Sequence, residues 1–172
     1  TDGRVVAGGY SWWFGRYNYA AARYQTNGNL DTSFQTTGKH TVLLSATDNG
    51  ALGMAITPNQ SVVLTGSTFN GSDFDFGVLR LWSDGNLDTS FSTDGKTAAA
   101  VTAAAEDRNF GVAVHSDGSV VTGGFTISGL STDYAVRRFT SDGGIDTSFN
   151  KTGKAVTDVG GLGDDEFPYS VG

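Results

Sequence analysis

Three arginines, Arg23, Arg80 and Arg138, each stand eight residues before an aspartate, Asp31, Asp88 and Asp146. A guanidinium and a carboxylate that meet across a chain reversal form a charge-assisted pair of fixed geometry. Each aspartate also precedes Thr-Ser, so its carboxylate is placed to accept hydrogen bonds from the following backbone amides and hold a turn. A chemical site is rarely needed three times in so short a chain, and these six residues read as structural rather than ligand-binding. Oxygen-rich groups that occur once read differently. Asn70, Ser72, Asp73 and Asp75 offer alternating oxygens of the kind calcium takes, and Asp164, Asp165 and Glu166 form a second group. Neither carries the central Gly and twelfth-position Glu of an EF-hand loop in register. Solvated loops are therefore expected, with calcium at Asn70, Asp73 and Asp75 as the weaker reading and no other cofactor.

Signs of catalysis are thin. His40 and His115 have no recognisable nucleophile motif beside them. Gly8-Gly9 and Gly123-Gly124 end apolar runs with no helix following, which excludes phosphate loops. Carboxylates are plentiful, but nothing fixes the separation that glycoside hydrolysis requires. No catalytic residue is assigned, and a hydrolase fragment using His40 or a carboxylate pair is kept as an alternative.

The most distinctive stretch is Tyr10-Ser11-Trp12-Trp13-Phe14-Gly15-Arg16-Tyr17-Asn18-Tyr19. Trp12 aligns with Phe69 and Ile127 of the sister segments, which suggests a core column. Trp13, Phe14 and Tyr17 align with mostly polar or small residues, so exposure is expected for them. Flat rings beside Arg16 suit stacking on a sugar or contact with a protein. The competing reading packs the same rings on a neighbouring unit. Asn18, Asp75 and Asp133 recur before an aromatic, which points to a turn role.

These comparisons are possible because the chain repeats. Leu30-Asp31-Thr32-Ser33-Phe34 returns as Leu87 to Phe91 and, with Ile145 for leucine, as Ile145 to Phe149. The spacing defines one repeat domain over 1–172, with units 1–57, 58–115 and 116–172. Within each unit the apolar period is two, which argues strands. The first is expected at Leu52 to Ile56, Phe110 to Val114 and Phe167 to Val171, and the second at Arg4 to Gly9, Ser61 to Gly66 and Ser119 to Gly124. A third covers Tyr19 to Tyr24, Phe76 to Leu81 and Tyr134 to Phe139. The fourth and weakest covers Lys39 to Ala46, Lys96 to Ala103 and Lys154 to Val159. Tight turns at Asn27-Gly28, Asp84-Gly85 and Asp142-Gly143 fit short connections. The predicted fold is all-β, a β-propeller or propeller-like array of three four-stranded antiparallel blades.

The run Asp117-Gly118-Ser119-Val120-Val121 to Gly124, then Tyr134 to Phe139, then Asp142 to Phe149 and Gly153-Lys154, resembles the bacterial delta-sixty repeat family. The resemblance covers the whole chain three times over. It implies a propeller-like fold in large secreted or surface-attached bacterial proteins, and it supplies no catalytic residues. An extracellular or cell-surface location is expected on that ground.

Three units leave a closure problem, because propellers typically hold four to eight blades and open sheets leave edges. The first unit lacks an inner strand, while Phe167 to Val171 is an inner strand without a blade. Two chains closing head to tail into six blades would reconcile the two, as would further blades in a longer chain. The 172 residues include 25 glycines, 2 prolines and no cysteine, with a net charge of −7. That composition suits many strands and tight turns, and excludes disulfides and thiol chemistry. The negative charge disfavours nucleic acid, and no apolar run is long enough to predict membrane insertion. The expected role is a non-catalytic binding, adhesion or scaffold module, with a glycan-binding lectin as an alternative.

Overall fold

In the computed structural model, residues 2–47, 49–129, 131–161 and 167–172 are described. The β-branched and aromatic runs form eleven strands among them, in three antiparallel meander sheets. The first blade holds β1 (Val5–Trp13), β2 (Arg16–Tyr24) and β3 (Lys39–Val42). The second holds β4 (Asn49–Ile56), β5 (Val62–Phe69), β6 (Phe74–Leu81) and β7 (Lys96–Ala99), in that spatial order. The third holds β8 (Asp107–Val114), β9 (Val120–Ser128), β10 (Ser131–Phe139) and β11 (Lys154–Thr157). The outermost strands are only four residues long, shorter than their apolar patterns predict.

Blades two and three have four strands, whereas β1 has one hydrogen-bonded neighbour, β2. The stretch Phe167 to Val171, expected as a strand, carries no strand pairing among the described residues. Its alternation is that of an inner strand, but a strand is defined by its ladder and here nothing pairs with it.

The core lies between blades rather than inside any one of them. Tyr19, Ala21, Phe34 and Val42 of the first blade pack with Ala51, Val62, Leu64, Leu79 and Leu81 of the second. On the other side, Val63, Val78 and Phe91 pack with Val120 and Phe139 of the third. Consecutive residues of β5 thus point to opposite neighbours, and that strand is buried along nearly its whole length, while β1 is largely exposed. Both inner strands, β4 and β8, carry a bulge, between Ala51 and Gly53 and between Asn109 and Gly111. The bulge brings a backbone carbonyl onto the second strand. A Cβ on Gly66 would stand 1.7 Å from the Gly50 oxygen, and one on Gly124 would stand 1.8 Å from the Arg108 oxygen.

Candidate functional site

The repeated arginine and aspartate build the joint between blades. The turn starting at Leu30 is tied to Tyr24 by an isolated bridge, and the same holds for Leu87 with Leu81 and Ile145 with Phe139. That bridge folds each aspartate back under its arginine, giving Nε to Oδ2 distances of 2.8 Å for Arg23 and Asp31, 2.5 Å for Arg80 and Asp88, and 2.6 Å for Arg138 and Asp146. The other carboxylate oxygen accepts the amide and the hydroxyl of Ser33, Ser90 or Ser148. The serine hydroxyls beside Asp31 and Asp146 are the largest influence holding those two carboxyls below the usual range.

The same arginines reach into the next blade. Arg23 donates to the Ser83 carbonyl, and Arg80 Nη1 donates to the Ser141 carbonyl at 2.7 Å. Each guanidinium also covers a phenylalanine ring, at 4.9 Å for Phe34 and 4.6 Å for Phe91. Phe34 in turn lies on Gly85, where a Cβ would come within 2.9 Å of the ring, and Phe91 lies on Gly143 in the same way. Both glycines have left-handed backbone, with φ of 87° and 86°. The amides of Gln35 and Ser92 complete the joint by donating to the carbonyls of Asp84 and Asp142, at 2.9 and 2.7 Å.

The aromatic stretch of the first blade is a β-hairpin. Trp13 pairs with Arg16 across a two-residue turn, in which Phe14 and Gly15 have φ of 50° and 78°. The four candidate contact residues therefore divide. Tyr17, opposite Trp12, shares a sheet face with Trp12 and Tyr10, whereas Trp13 and Arg16 lie on the other face and Phe14 stands at the tip. Tyr17 meets Trp12 edge to face at 4.8 Å and Tyr10 at 5.3 Å, and Trp13 stacks obliquely on Phe14 at 4.5 Å. Trp12 is 63% exposed, so it is not a core residue. Phe14 is 78% exposed and Trp13 about half exposed. Arg16 donates to the Ala46 carbonyl.

Tyr10 and Tyr17 open onto a cleft of about 620 Å³ that spans all three blades. Its other walls include Asn49 and Leu52 of β4, Ser67, Phe74, and Arg108, Phe110 and Phe125 of the third blade. Arg108 lies 3.6 Å from the centre of the Phe74 ring and pairs with Glu106 at 3.5 Å. Phe125 is packed against Phe110 and, edge to face, against Phe167. The cleft thus offers several rings and one cation to a ligand, while Asn49 and Ser67 in its wall are buried and hydrogen bonded within the chain.

The oxygen-rich loop is occupied by its own side chains. Asn70 Nδ2 donates to the carboxylates of both Asp73 and Asp75, and its Oδ1 accepts the amides of Ser72 and Asp73. Among the described residues no three His, Cys, Asp or Glu converge as a metal site. Asp164, Asp165 and Glu166 lie outside the described residues. His40 Nδ1 is hydrogen bonded to the Gly85 carbonyl at 2.7 Å, part of the joint between blades.

A buried polar cluster in the third blade was not anticipated. Asp107 accepts the amides of Val101 and Thr102 at 2.6 and 3.2 Å, as its counterpart Asn49 accepts Ser45 in the second blade. Burial pushes the Asp107 carboxyl up and pulls the nearby Arg137 guanidinium down. The signal was present in the departures from the repeat, since Arg137 stands where the second blade has Leu79 and Asp107 where it has Asn49.

Three sequential antiparallel meanders, with a core between successive sheets, define a β-propeller type of tandem repeat. The chain belongs to the DUF5122 β-propeller family, a domain of unknown function, whose model matches residues 1–34, 58–91 and 115–149. Each match ends on Phe34, Phe91 or Phe149, the ring of the joint. No curated protein matches the chain.

Proposed function

We propose that this chain is a non-catalytic binding or scaffold module of the bacterial cell surface or extracellular space, and that its repeats are of the delta-sixty type. The observation that supports this reading is the cleft walled by Tyr10, Tyr17, Phe74, Phe110 and Phe125, together with the exposed Trp13 and Phe14 at the end of the same hairpin. Tyr10, Trp13, Phe14 and Tyr17 are exposed, and a group of exposed rings on one hairpin is ordinarily kept for contact. The repeated ionic residues are taken up by joints between blades, which leaves the single aromatic hairpin as the part free to vary with the ligand.

A carbohydrate is the second reading, favoured by Arg108 among the rings. Rings stack on the apolar faces of sugars while the guanidinium takes hydroxyls. Screening the chain on a glycan array and against extracellular matrix proteins tests both readings. Saturable binding lost in Tyr17→Ala or Trp13→Ala, with the thermal melt unchanged, is the expected result. Binding that survives loss of either ring overturns the assignment of the site.

A further inference from the structure

We propose that the part of the cleft centred on Arg108 binds a small organic acid, a single carboxylate carried on an aromatic or aliphatic body. The inference rests on the cleft being a binding site and takes the first of the two readings further, by naming the chemistry of the ligand. Arg108 and the rings around it belong to the second and third blades, each of which has four paired strands.

Three departures from the repeat meet here. Arg108 stands where the second blade has Gly50, Phe110 where it has Leu52, and Phe125 where it has Ser67. The second blade forms its four strands without them, so the architecture demands none of the three. Register and packing bring them together: Arg108 is the cross-strand neighbour of Phe125, whose ring lies 5.6 Å from that of Phe110. From the second blade, Phe74 carries the Arg108 guanidinium on its face, 3.6 Å from the ring centre. A side chain kept for packing alone would be apolar. An arginine laid flat on a ring and left half-buried is a cation of fixed orientation.

Stacking occupies the face of a guanidinium and leaves its in-plane N–H groups to take a partner. Among the described residues the Arg108 side chain makes one polar contact, from Nη2 to the partly exposed Glu106 at 3.5 Å, which is long for an ion pair. Its Nε and Nη1 have no partner among those residues, and a carboxylate accepting from them gains a charge-assisted bond. The rest of the wall offers rings, because Asn49 and Ser67 are buried and committed within the chain. A ligand rich in hydroxyls would give up water there without replacement, which sets this site apart from the carbohydrate reading. One anionic end on an apolar body matches both parts, and about 620 Å³ is within the range of small-molecule sites. Charge narrows the anion further. A net charge of −7 repels a polyanion, and a phosphate monoester presents more charge and more oxygens than one guanidinium can answer.

Titration calorimetry of the whole chain with 4-phenylbutyrate and octanoate, each beside its primary amide, tests this site. The expected result is saturable binding of at least one acid, weakened about tenfold or more in its amide and in Arg108→Gln. Phe110→Leu, which restores the residue of the second blade, is expected to weaken acid and amide alike, because the ring holds the body and not the charge. The comparison of acid with amide uses the unaltered chain, so it stands even where a variant is destabilised. Equal binding of an acid and its amide overturns the proposal. So does acid binding that survives Arg108→Gln in a chain of unchanged melt, or no binding of either acid up to about 10 mM. Binding of a glycan that is lost in Arg108→Gln, with neither acid bound, overturns it in favour of the carbohydrate reading. The broader reading fails separately, on the glycan and matrix-protein screen with Tyr17→Ala and Trp13→Ala.

Discussion

Replacing the joint phenylalanines one at a time by alanine separates what a blade gains from itself and what it gains from its neighbour. Phe34 is fully buried, seated on Gly85 with no free space between them, and Arg23 covers its other face. Burial of such a ring contributes roughly 1.5–3 kcal/mol, and the cavity left behind raises the usual cost of Phe to Ala to about 3–5 kcal/mol. Loss of the guanidinium contact adds about 0.5–1 kcal/mol. Phe149 keeps its arginine but has no facing turn, so its removal opens no closed cavity and should cost about 1 kcal/mol. The assay is urea unfolding of dilute protein, followed by far-ultraviolet dichroism and by fluorescence of Trp12, Trp13 and Trp82. With a slope of about 1–3 kcal/mol per molar urea, the difference of about 2–4 kcal/mol separates the two midpoints by about 0.7 M or more. Equal costs for Phe34→Ala and Phe149→Ala, within about 0.5 kcal/mol, would refute the argument, since the ring would then act within its own blade.

Acid should loosen the joints. Asp31 and Asp146 titrate below their unfolded values in the native chain, so their contribution is present above the ordinary carboxylate range near 4 and is lost as pH falls through and below it. Melting temperature is expected to fall between pH 7 and pH 3, less steeply in Asp31→Asn, which is less stable than wild type at pH 7. Asp107 has the opposite sign. Its carboxyl is pushed up by burial, so the ionised form penalises the folded state as pH rises through the carboxylate range. Asp107→Asn, which restores the residue of the second blade, is expected to raise the urea midpoint at pH 7 and to lose that advantage toward pH 3; a lower midpoint at pH 7 would count against burial as the dominant influence.

Period and alternation were enough to read the all-β class and most strands, because each blade uses the same residues in the same joint. Asp31 and Arg23 could be paired on paper, since a turn of known length brings them back together. Three things were hidden. The hairpin at Phe14-Gly15 was hidden because its turn lacks the Asn-Gly or Asp-Gly pair that usually marks a tight reversal. The bulges fall at Leu52 and Phe110, the first residues of the apolar alternations, so no pattern precedes them against which a one-residue slip could show. The exposure of Trp12 depends on which neighbour is present beside its face, and alignment with Phe69 and Ile127 carries no information about that. The division of Trp13 and Arg16 from Tyr17 follows from the same hairpin, since adjacent strand residues point apart.

The ring of Phe34 and the glycine it covers belong to different repeats, and each repeat carries one of each. A gene segment copied in tandem therefore arrives with both halves of the joint already correct, and a segment deleted removes one of each. Blade number can drift by unequal recombination without any compensating substitution, while the hairpin tip at Trp13 and Phe14, which no joint uses, is left to diverge copy by copy. The phenylalanine seat thus serves as a unit of inheritance as well as of packing, and it separates the part of the chain that must stay the same from the part that can acquire a new partner.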